Sequence, residues 1–447
     1  MRIPKRPPNT QQLLQEAFSD HTRMANIIQA SIKAGESERY LHWDKLKYHR
    51  IPCGLSLEDW WLALKLARNR LIKELPLKDT QGLPFRFGLP DPAPELLHHI
   101  TQHASGQISI QDQQIGSPAT RDRYIVRSLI EEAITSSQLE GAATTRLIAK
   151  EMLRTQRKPR DTHEQMILNN YIAMKRIGEL TDQPLSQKML LELHRILTED
   201  TLKDPSAAGR FRKSDESIHV FNEQDNEVLH TPPPAEELPR RLQALCRFAN
   251  ENTPEYFMSP VIRAVILHFW LAYDHPFVDG NGRCARALFY WSMLRQKYWL
   301  CEFISISEII NKAPTKYARA FLYTETDEND LTYFVLYHLE IIRKAVDQLN
   351  EYLTRKSNDV RKLETLLRSS RGLNHRQLAL LSHALRHSDA QYTVKSHRNS
   401  HRVSDQTART DLYDLADKRS LLVSRKPGRT FYFTPAPDLE KRLRNLK

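Results

Sequence analysis

Apolar residues recur at helical spacing through most of this chain, and strand-like alternation is scarce. A helix is predicted over Gln11 to Ala34 and another over Leu57 to Leu75, followed by a Pro-rich connection from Leu83 to Pro94. Between Asp122 and Gly141, the residues Ile125, Val126, Leu129, Ile130, Ala133 and Ile134 fall close to a 3.6-residue period. Gly141 stands where a C-cap glycine is expected. Leu185 to Thr201 and Glu236 to Ala249 also read as helices. Pro260 to Tyr273 is apolar on nearly every face and Ala285 to Trp299 is again apolar, so two buried helices are predicted with His275 to Arg286 as the loop between them. Helices continue through Leu331 to Leu353. The pattern changes at Ile218-His219-Val220-Phe221 and Val228-Leu229-His230, which flank turn residues and precede Pro232-Pro233-Pro234 and so predict a hairpin. Near the end, a helix over His375 to His387 and a second one capped by Ser404 are followed by Leu421 to Ser424, a basic turn from Arg425 to Arg429, and Thr430 to Phe433.

Composition narrows the class. A chain of 447 residues exceeds one ordinary core, and 40% hydrophobic with 27% charged residues fits a soluble globular protein of mainly α class. Boundaries are predicted near 110 and 350: an N-terminal helical region (1–110), a central core (111–350) and a basic module (351–447). Apolar runs such as Val265 to Tyr273 fall short of the roughly 20 residues that span a bilayer, and no apolar core follows the basic residues of the first thirty positions. No membrane association and a cytoplasmic location are therefore expected. Cys53, Cys246, Cys284 and Cys301 lack metal or disulfide-scaffold spacing and read as reduced structural thiols. Trp43, Trp60 and Trp61 are candidate core or interface anchors. Of the formal charge of +12, nearly all resides in the tail, where 21 Lys and Arg face 10 Asp and Glu from Glu351 onward. A basic module on a nearly neutral body points to nucleic acid.

The loop from His275 to Arg286 reads His-Pro-Phe-Val-Asp-Gly-Asn-Gly-Arg-Cys-Ala-Arg. Gly280 and Gly282 can take positive φ, and Asn281 tolerates it, so consecutive N–H groups can converge on phosphate oxygens at the start of a helix expected near Arg283. Arg283 and Arg286, three residues apart, are expected to share a face and fork onto neighbouring phosphates. Asp279 offers a hard oxygen for a magnesium ion. His275 is the side chain suited to taking a proton at neutral pH.

With every fixed position present, the loop resembles the signature of the Fic family, His-Pro-Phe-x-(Asp/Glu)-Gly-Asn-Gly-(Arg/Lys)-x-x-Arg. The resemblance implies a Fic-type helical core with a small β-hairpin flap, and transfer of AMP from ATP, with Mg2+, to a Ser, Thr or Tyr hydroxyl on a protein, the chain itself included. By that resemblance His275 is the base, Gly280, Asn281 and Gly282 hold the α- and β-phosphates, Arg283 the β-phosphate, Arg286 the γ-phosphate and Asp279 the metal. Asn311 and Tyr317 occupy the neighbourhood from which relatives contact adenosine. Ile218, His219 and Val220 match a flap whose edge aligns a target segment by strand addition. Ser136-Ser137-Gln138-Leu139-Glu140-Gly141 resembles the family's inhibitory motif, (Ser/Thr)-x-x-x-Glu-(Gly/Asn), on a helix preceding the core; this implies that Glu140 reaches Arg286 and Ser136 holds the helix. Proteins of this layout often form homodimers.

Other readings stay open. Relatives move UMP, phosphocholine or phosphate, and the same site with Glu140 orienting water fits removal of AMP. A third reading makes the core a nucleotide sensor in a DNA-binding regulator, against which the intact His275 and Asp279 count. The tail resembles a winged helix-turn-helix, with Gln406, Thr407 and Arg409 facing a major groove and Arg425, Lys426 and Arg429 on the wing. Such modules bind either DNA or protein, and residues 404–429 carry both options.

Overall fold

In the helix Pro260–Asp274, 13 of 15 residues are buried, and in Asn281–Arg295, 12 of 15. Helices apolar on every face have no stable place except the middle of a core. The computed structural model sets this pair side by side at the centre. It describes all residues except 1, 35–38, 53, 105–117, 223–225, 370–371, 387–389, 427–429 and 445–447. Cys53, Arg429 and the middle of the flap turn therefore lie outside the described residues, as do the side chains of Ile125 and Val126.

The chain divides into two units, residues 1–349 and 350–447. In the first, helices Thr162–Glu179, Gln187–Thr198, Leu238–Ala249 and Pro314–Thr326 surround the central pair. Trp270, Trp291, Phe269, Phe277 and Phe289 lie in its core with at most 1% exposure. Each contributes on the order of 1.5–3 kcal/mol or more on burial. The helix Pro118–Leu139 lies on a smaller apolar cluster, where Ile130, Ala133 and Ile134 meet Ala149, Met152 and Ile167. Gly141 takes φ 89°, and the Ala142 N–H returns to the Ser137 carbonyl at 3.0 Å, so the helix ends at a C-cap glycine.

The N-terminal region departs from the all-helical expectation. The stretch 11–34 splits into Thr10–Phe18 and His21–Ala34, and the helix predicted to reach Leu75 stops at Asn69. Lys73–Lys78 then pairs antiparallel with Pro84–Phe87, burying Leu75, Leu77, Phe85 and Phe87 in the main core. The alternation of Leu75 and Leu77 was a period-2 signal overlaid by Pro76, which an edge strand tolerates. This hairpin supports the loop: Lys78 gives its carbonyl to Arg241, whose Nε donates to Asp274, the residue before His275, at 2.7 Å. Trp60 and Trp61 are core residues, with Trp43 packed edge-on against Trp61.

In the second unit, Leu380, Leu381, Leu412, Leu415, Leu422 and Phe433 form a separate core. Its elements are the helices His375–Arg386, Val394–His401 and Asp405–Tyr413, the antiparallel strands Leu422–Arg425 and Tyr432–Pro435, and the helix Leu439–Arg444. Val394–His401 was not predicted. Its Ser, His, Asn and Arg residues carry no apolar period, and a Thr393/Ser396 capping box starts it. Among the described residues, no helix is long and apolar enough to cross a membrane.

Candidate active site

The helix Pro260–Asp274 ends at His275, whose left-handed conformation (φ 46°, ψ 56°) turns the chain into the loop. Its Nδ1 is 3.2 Å from the Ala272 carbonyl. A carbonyl only accepts, so Nδ1 carries the proton and Nε2 the free lone pair. Burial pushes the imidazole down to about 4, which keeps it neutral at pH 7.

Side chains that the sequence did not single out hold this geometry. Arg212 donates its main-chain N–H to the Pro276 carbonyl at 2.9 Å and its Nε to the His275 carbonyl at 2.9 Å, while Nη2 reaches Pro233 beyond the flap. His194 stacks on Phe277 with ring centres 3.8 Å apart. Its Nε2 donates to the Asp279 carbonyl at 2.9 Å, and its Nδ1 accepts the Gly209 N–H at 3.0 Å. Burial lowers its pKa to about 4, in keeping with this neutral tautomer. The only signal for either residue was its upstream position, which spacing does not connect to the loop.

The two glycines serve different ends. Gly280 has φ 83°, and a Cβ there would come within 2.9 Å of Thr198 Cγ2. Gly282 is helical, contrary to the expected positive φ, because the helix begins at Asn281 rather than Arg283. Its missing Cβ makes room for Glu140, whose Oε1 lies 2.1 Å from where that atom would be. Asn281 also differs from expectation. Its Oδ1 accepts the Phe277 N–H at 2.9 Å and its Nδ2 donates to the Phe277 carbonyl at 2.8 Å, so the carboxamide staples the loop.

Arg283 and Arg286 are buried but reach different elements. Arg283 donates to the Leu197 carbonyl at 2.7 Å and lies 3.7 Å from the largely exposed Asp279. Arg286 donates Nε to Ser136 Oγ at 2.8 Å, and Nη2 to the Ser136 carbonyl at 3.0 Å and to Glu140 Oε1 at 2.8 Å. Burial works against ionisation of Glu140, but the Arg286 and Arg283 guanidinium groups outweigh it and hold the carboxyl below its usual range.

One turn further along the pair, Tyr290 donates to Glu132 at 2.8 Å. Glu132, Ser136 and Glu140, four positions apart, thus form a stripe facing Tyr290, Arg286 and Gly282 on an antiparallel helix. Glu132 is buried and also accepts from Ser305 Oγ at 2.7 Å and from both the N–H and the hydroxyl of Ser307, which fixes the helix against Ile306–Asn311.

His275, Glu140, Asn281, Gly282, Arg286 and Tyr317 line one cavity of about 210 Å³, closed by Val220, Leu229 and His230 of the flap. That is below the roughly 300–1,000 Å³ of small-molecule sites. Asn311 lies outside the lining and donates to Gln138 at 3.3 Å. The flap strands are Val220–Phe221 and Val228–His230, so Ile218 and His219 precede the paired segment, and a bulge at Val220/Phe221 shortens it. His230 sits 2.7 Å from Glu325 and 2.8 Å from the Tyr273 carbonyl. Both partners only accept, so both nitrogens carry protons; burial opposes the charge, but Glu325 outweighs it and raises the pKa.

Among the described residues, no group of three or more His, Cys, Asp or Glu side chains is placed to hold a metal. The exposed carboxylate of Asp279 suits a cation whose remaining ligands come from substrate phosphates and water.

Comparison with known proteins bears on the domain that holds this site. Residues 184–293 match the Fic/DOC family, a stretch that holds the flap and the loop but not Glu140. The chain is similar to "Protein adenylyltransferase Fic" of Drosophila willistoni (34% identity over 160 residues) and of Drosophila ananassae (32% over 158). Each match takes in 35% of this chain and 29% of the relative's length. In fold it is similar to a Fic family protein from Desulfovibrio desulfuricans G20, with TM-score 0.52 and 20% identity over 77% of this chain and 95% of that one. A variant fragment of Fic-1 from C. elegans gives TM-score 0.50 and 17% identity over 78% and 90%. The chain therefore contains a Fic domain, matched over residues 184–293.

Proposed function

We propose that the chain transfers AMP from ATP to a hydroxyl of a protein side chain and is held off by Glu140. The observation that carries this reading is His275: with Nδ1 tied to Ala272, its Nε2 is a neutral base in a cavity whose other walls include Asn281 and Gly282 at the helix start and Arg286. The hydroxyl gives its proton to Nε2 as its oxygen bonds to the α-phosphorus, and the bond to the β-phosphate oxygen breaks to release pyrophosphate. Bound phosphates raise the basicity of the imidazole from its low resting value, since negative charge favours the imidazolium. Such transfer depends mainly on positioning and charge neutralisation.

Main-chain N–H groups from Gly280 to Gly282 take the α- and β-phosphates, Arg283 the β-phosphate and Arg286 the γ-phosphate. Tyr317 lies on the nucleoside side. Asp279 holds a magnesium ion, which supplies charge neutralisation when bound. Glu140 occupies Arg286 and part of the cavity, so the γ-phosphate and the carboxylate exclude one another. The flap edge at Val220 aligns the target.

Glu140, ionised and lining the same cavity, favours one alternative: hydrolytic removal of AMP with Glu140 orienting the water. The deciding experiment supplies ATP labelled at the α- or the γ-phosphate to wild type, Glu140→Gly and His275→Ala, reading label on the chain and on added protein. Label from the α-position alone, absent in His275→Ala, is expected. Label from the γ-position, or label indifferent to His275→Ala, rules the proposal out. Faster loss of AMP from a pre-modified target in wild type than in Glu140→Gly favours the alternative.

A further inference from the structure

The C-terminal unit, residues 350–447, has a surface of distinct character. The helices Val394–His401 and Asp405–Tyr413 are separated by three residues. Arg402 closes the first helix in a left-handed conformation (φ 50°, ψ 47°), and Ser404 opens the second by accepting the Thr407 N–H at 3.1 Å. A three- to four-residue turn between two short helices is the helix-turn-helix connection. Tyr392, before these helices, exchanges main-chain hydrogen bonds of 2.9 and 2.8 Å with Phe433, so the hairpin gains a third short strand.

One buried carboxylate rivets the three helices. Asp411 accepts from Arg376 Nε at 2.7 Å, Asn374 Nδ2 at 2.7 Å and His397 Nε2 at 3.2 Å. Asp411 therefore adds no free negative charge outside. Ala408, Asp411 and Leu412 form the inward face of Asp405–Tyr413, which leaves Gln406, Arg409 and Thr410, at i, i+3 and i+4, exposed together on the opposite face. The other acid of this helix, Asp405, is paired with Arg398 at 3.1 Å.

The exposed cations Lys395, Arg402, Arg409, Arg425 and Lys426 have no carboxylate partner among the described residues. A protein-docking patch carries exposed aromatic or aliphatic anchors, and single-stranded RNA needs aromatic platforms. On the outward face of Asp405–Tyr413 the aromatic at i+7, Tyr413, is half-buried edge-on against Phe431 and Phe433, and the positions beside Gln406 that are exposed, Arg409 and Thr410, are polar. What it offers is Arg and Gln, the side chains that fork onto guanine and adenine edges in a major groove.

We infer that this unit binds duplex DNA, with Gln406 and Arg409 reading base edges and Lys395, Arg402, Arg425 and Lys426 on phosphates. Full-length protein is incubated with a random duplex library and bound duplexes are enriched. The enriched duplex, a scrambled duplex and a single-stranded RNA are then titrated by fluorescence anisotropy between about 50 and about 200 mM salt. The enriched duplex is expected to bind at least about tenfold tighter than the scrambled one, with affinity falling about 100-fold or more across that salt range. Arg409→Ala lowers affinity for the enriched duplex roughly 5- to 150-fold and leaves the scrambled one little changed. Arg425→Ala with Lys426→Ala weakens both alike and flattens the salt dependence. All three side chains are exposed, and an unchanged thermal melt verifies the fold of each variant. No enrichment, tighter binding of the RNA, or binding indifferent to these substitutions overturns the inference.

Discussion

Replacing Glu140 should release the site, and the size of the effect follows from one contact. Glu140 Oε1 and Arg286 Nη2 are 2.8 Å apart. At an effective dielectric of about 20 their attraction is roughly 6 kcal/mol. The Glu140 side chain is 26% exposed, and desolvation of the two groups cancels more than half of that attraction, leaving about 2–3 kcal/mol. On the proposed reading, ATP places its γ-phosphate on Arg286 only when the carboxylate has swung away, so the wild-type site is competent for roughly 0.6–3% of the time. Glu140→Gly should raise the initial rate of transfer from α-labelled ATP roughly 30- to 150-fold. Glu140→Gln keeps the side-chain length and helix propensity while removing the charge, and should give about a tenfold gain, which separates lost charge from a frayed helix end. A Glu140→Gly rate within about threefold of wild type, with His275→Ala inactive in the same assay, would refute the competition.

Four more outcomes are expected. Because burial pushes His275 down to about 4, its base form is present above that pH and lost as pH falls through it, so the acid limb of kcat/KM should lie well below 6.5 and that of kcat higher, once phosphates are bound; a kcat/KM limb at 6.5 or above contradicts the neutral-base assignment. Gly282→Ala should destabilise wild type in urea unfolding by at least about 1 kcal/mol more than it does Glu140→Gly, since its methyl meets Glu140 only in the former; equal costs would place Glu140 elsewhere. Arg212→Ala should lower kcat roughly 10- to 100-fold through a loosened His275 carbonyl, with nucleotide affinity measured by calorimetry unchanged and no rescue by Lys. Glu132→Gln, which turns a donor toward Tyr290, Ser305 and Ser307, should cost about 2–4 kcal/mol in urea unfolding.

Local order was readable where chemistry or periodicity is dense. His275, Asn281, Gly282 and Arg286, close in sequence, line one cavity, and Gly141 marked a helix end from its own backbone preference. The family resemblance named Arg286 as the partner of Glu140, and the two are in contact although 146 positions apart. Residues whose role depends on what folds against them left no such trace. Arg212, His194 and Glu132 act through partners far away in the chain, so each read as an ordinary polar residue of a helix or loop. Gly282 looked like a second flexible hinge because the absence of a side chain has two uses, freedom and space, and only the neighbour at Glu140 decides between them. The hairpin Lys73–Lys78/Pro84–Phe87 was hidden because its prolines, read locally, argue against strand.

The stripe of Glu132, Ser136 and Glu140 against Tyr290, Arg286 and Gly282 constrains how the site can be opened. Sliding the helix by one turn toward its C-terminal end would carry Glu132 into the place of Ser136 and lay a fresh carboxylate on Arg286, so longitudinal travel in that direction exchanges one lock for another. Opening must instead come from a roll of the helix about its axis, or from unwinding of its final turn while Glu132 keeps the remainder docked. On the proposed reading, an activating signal need act only on the last few residues before Gly141, and the anchored turn behind them lets the contact reform without refolding the helix.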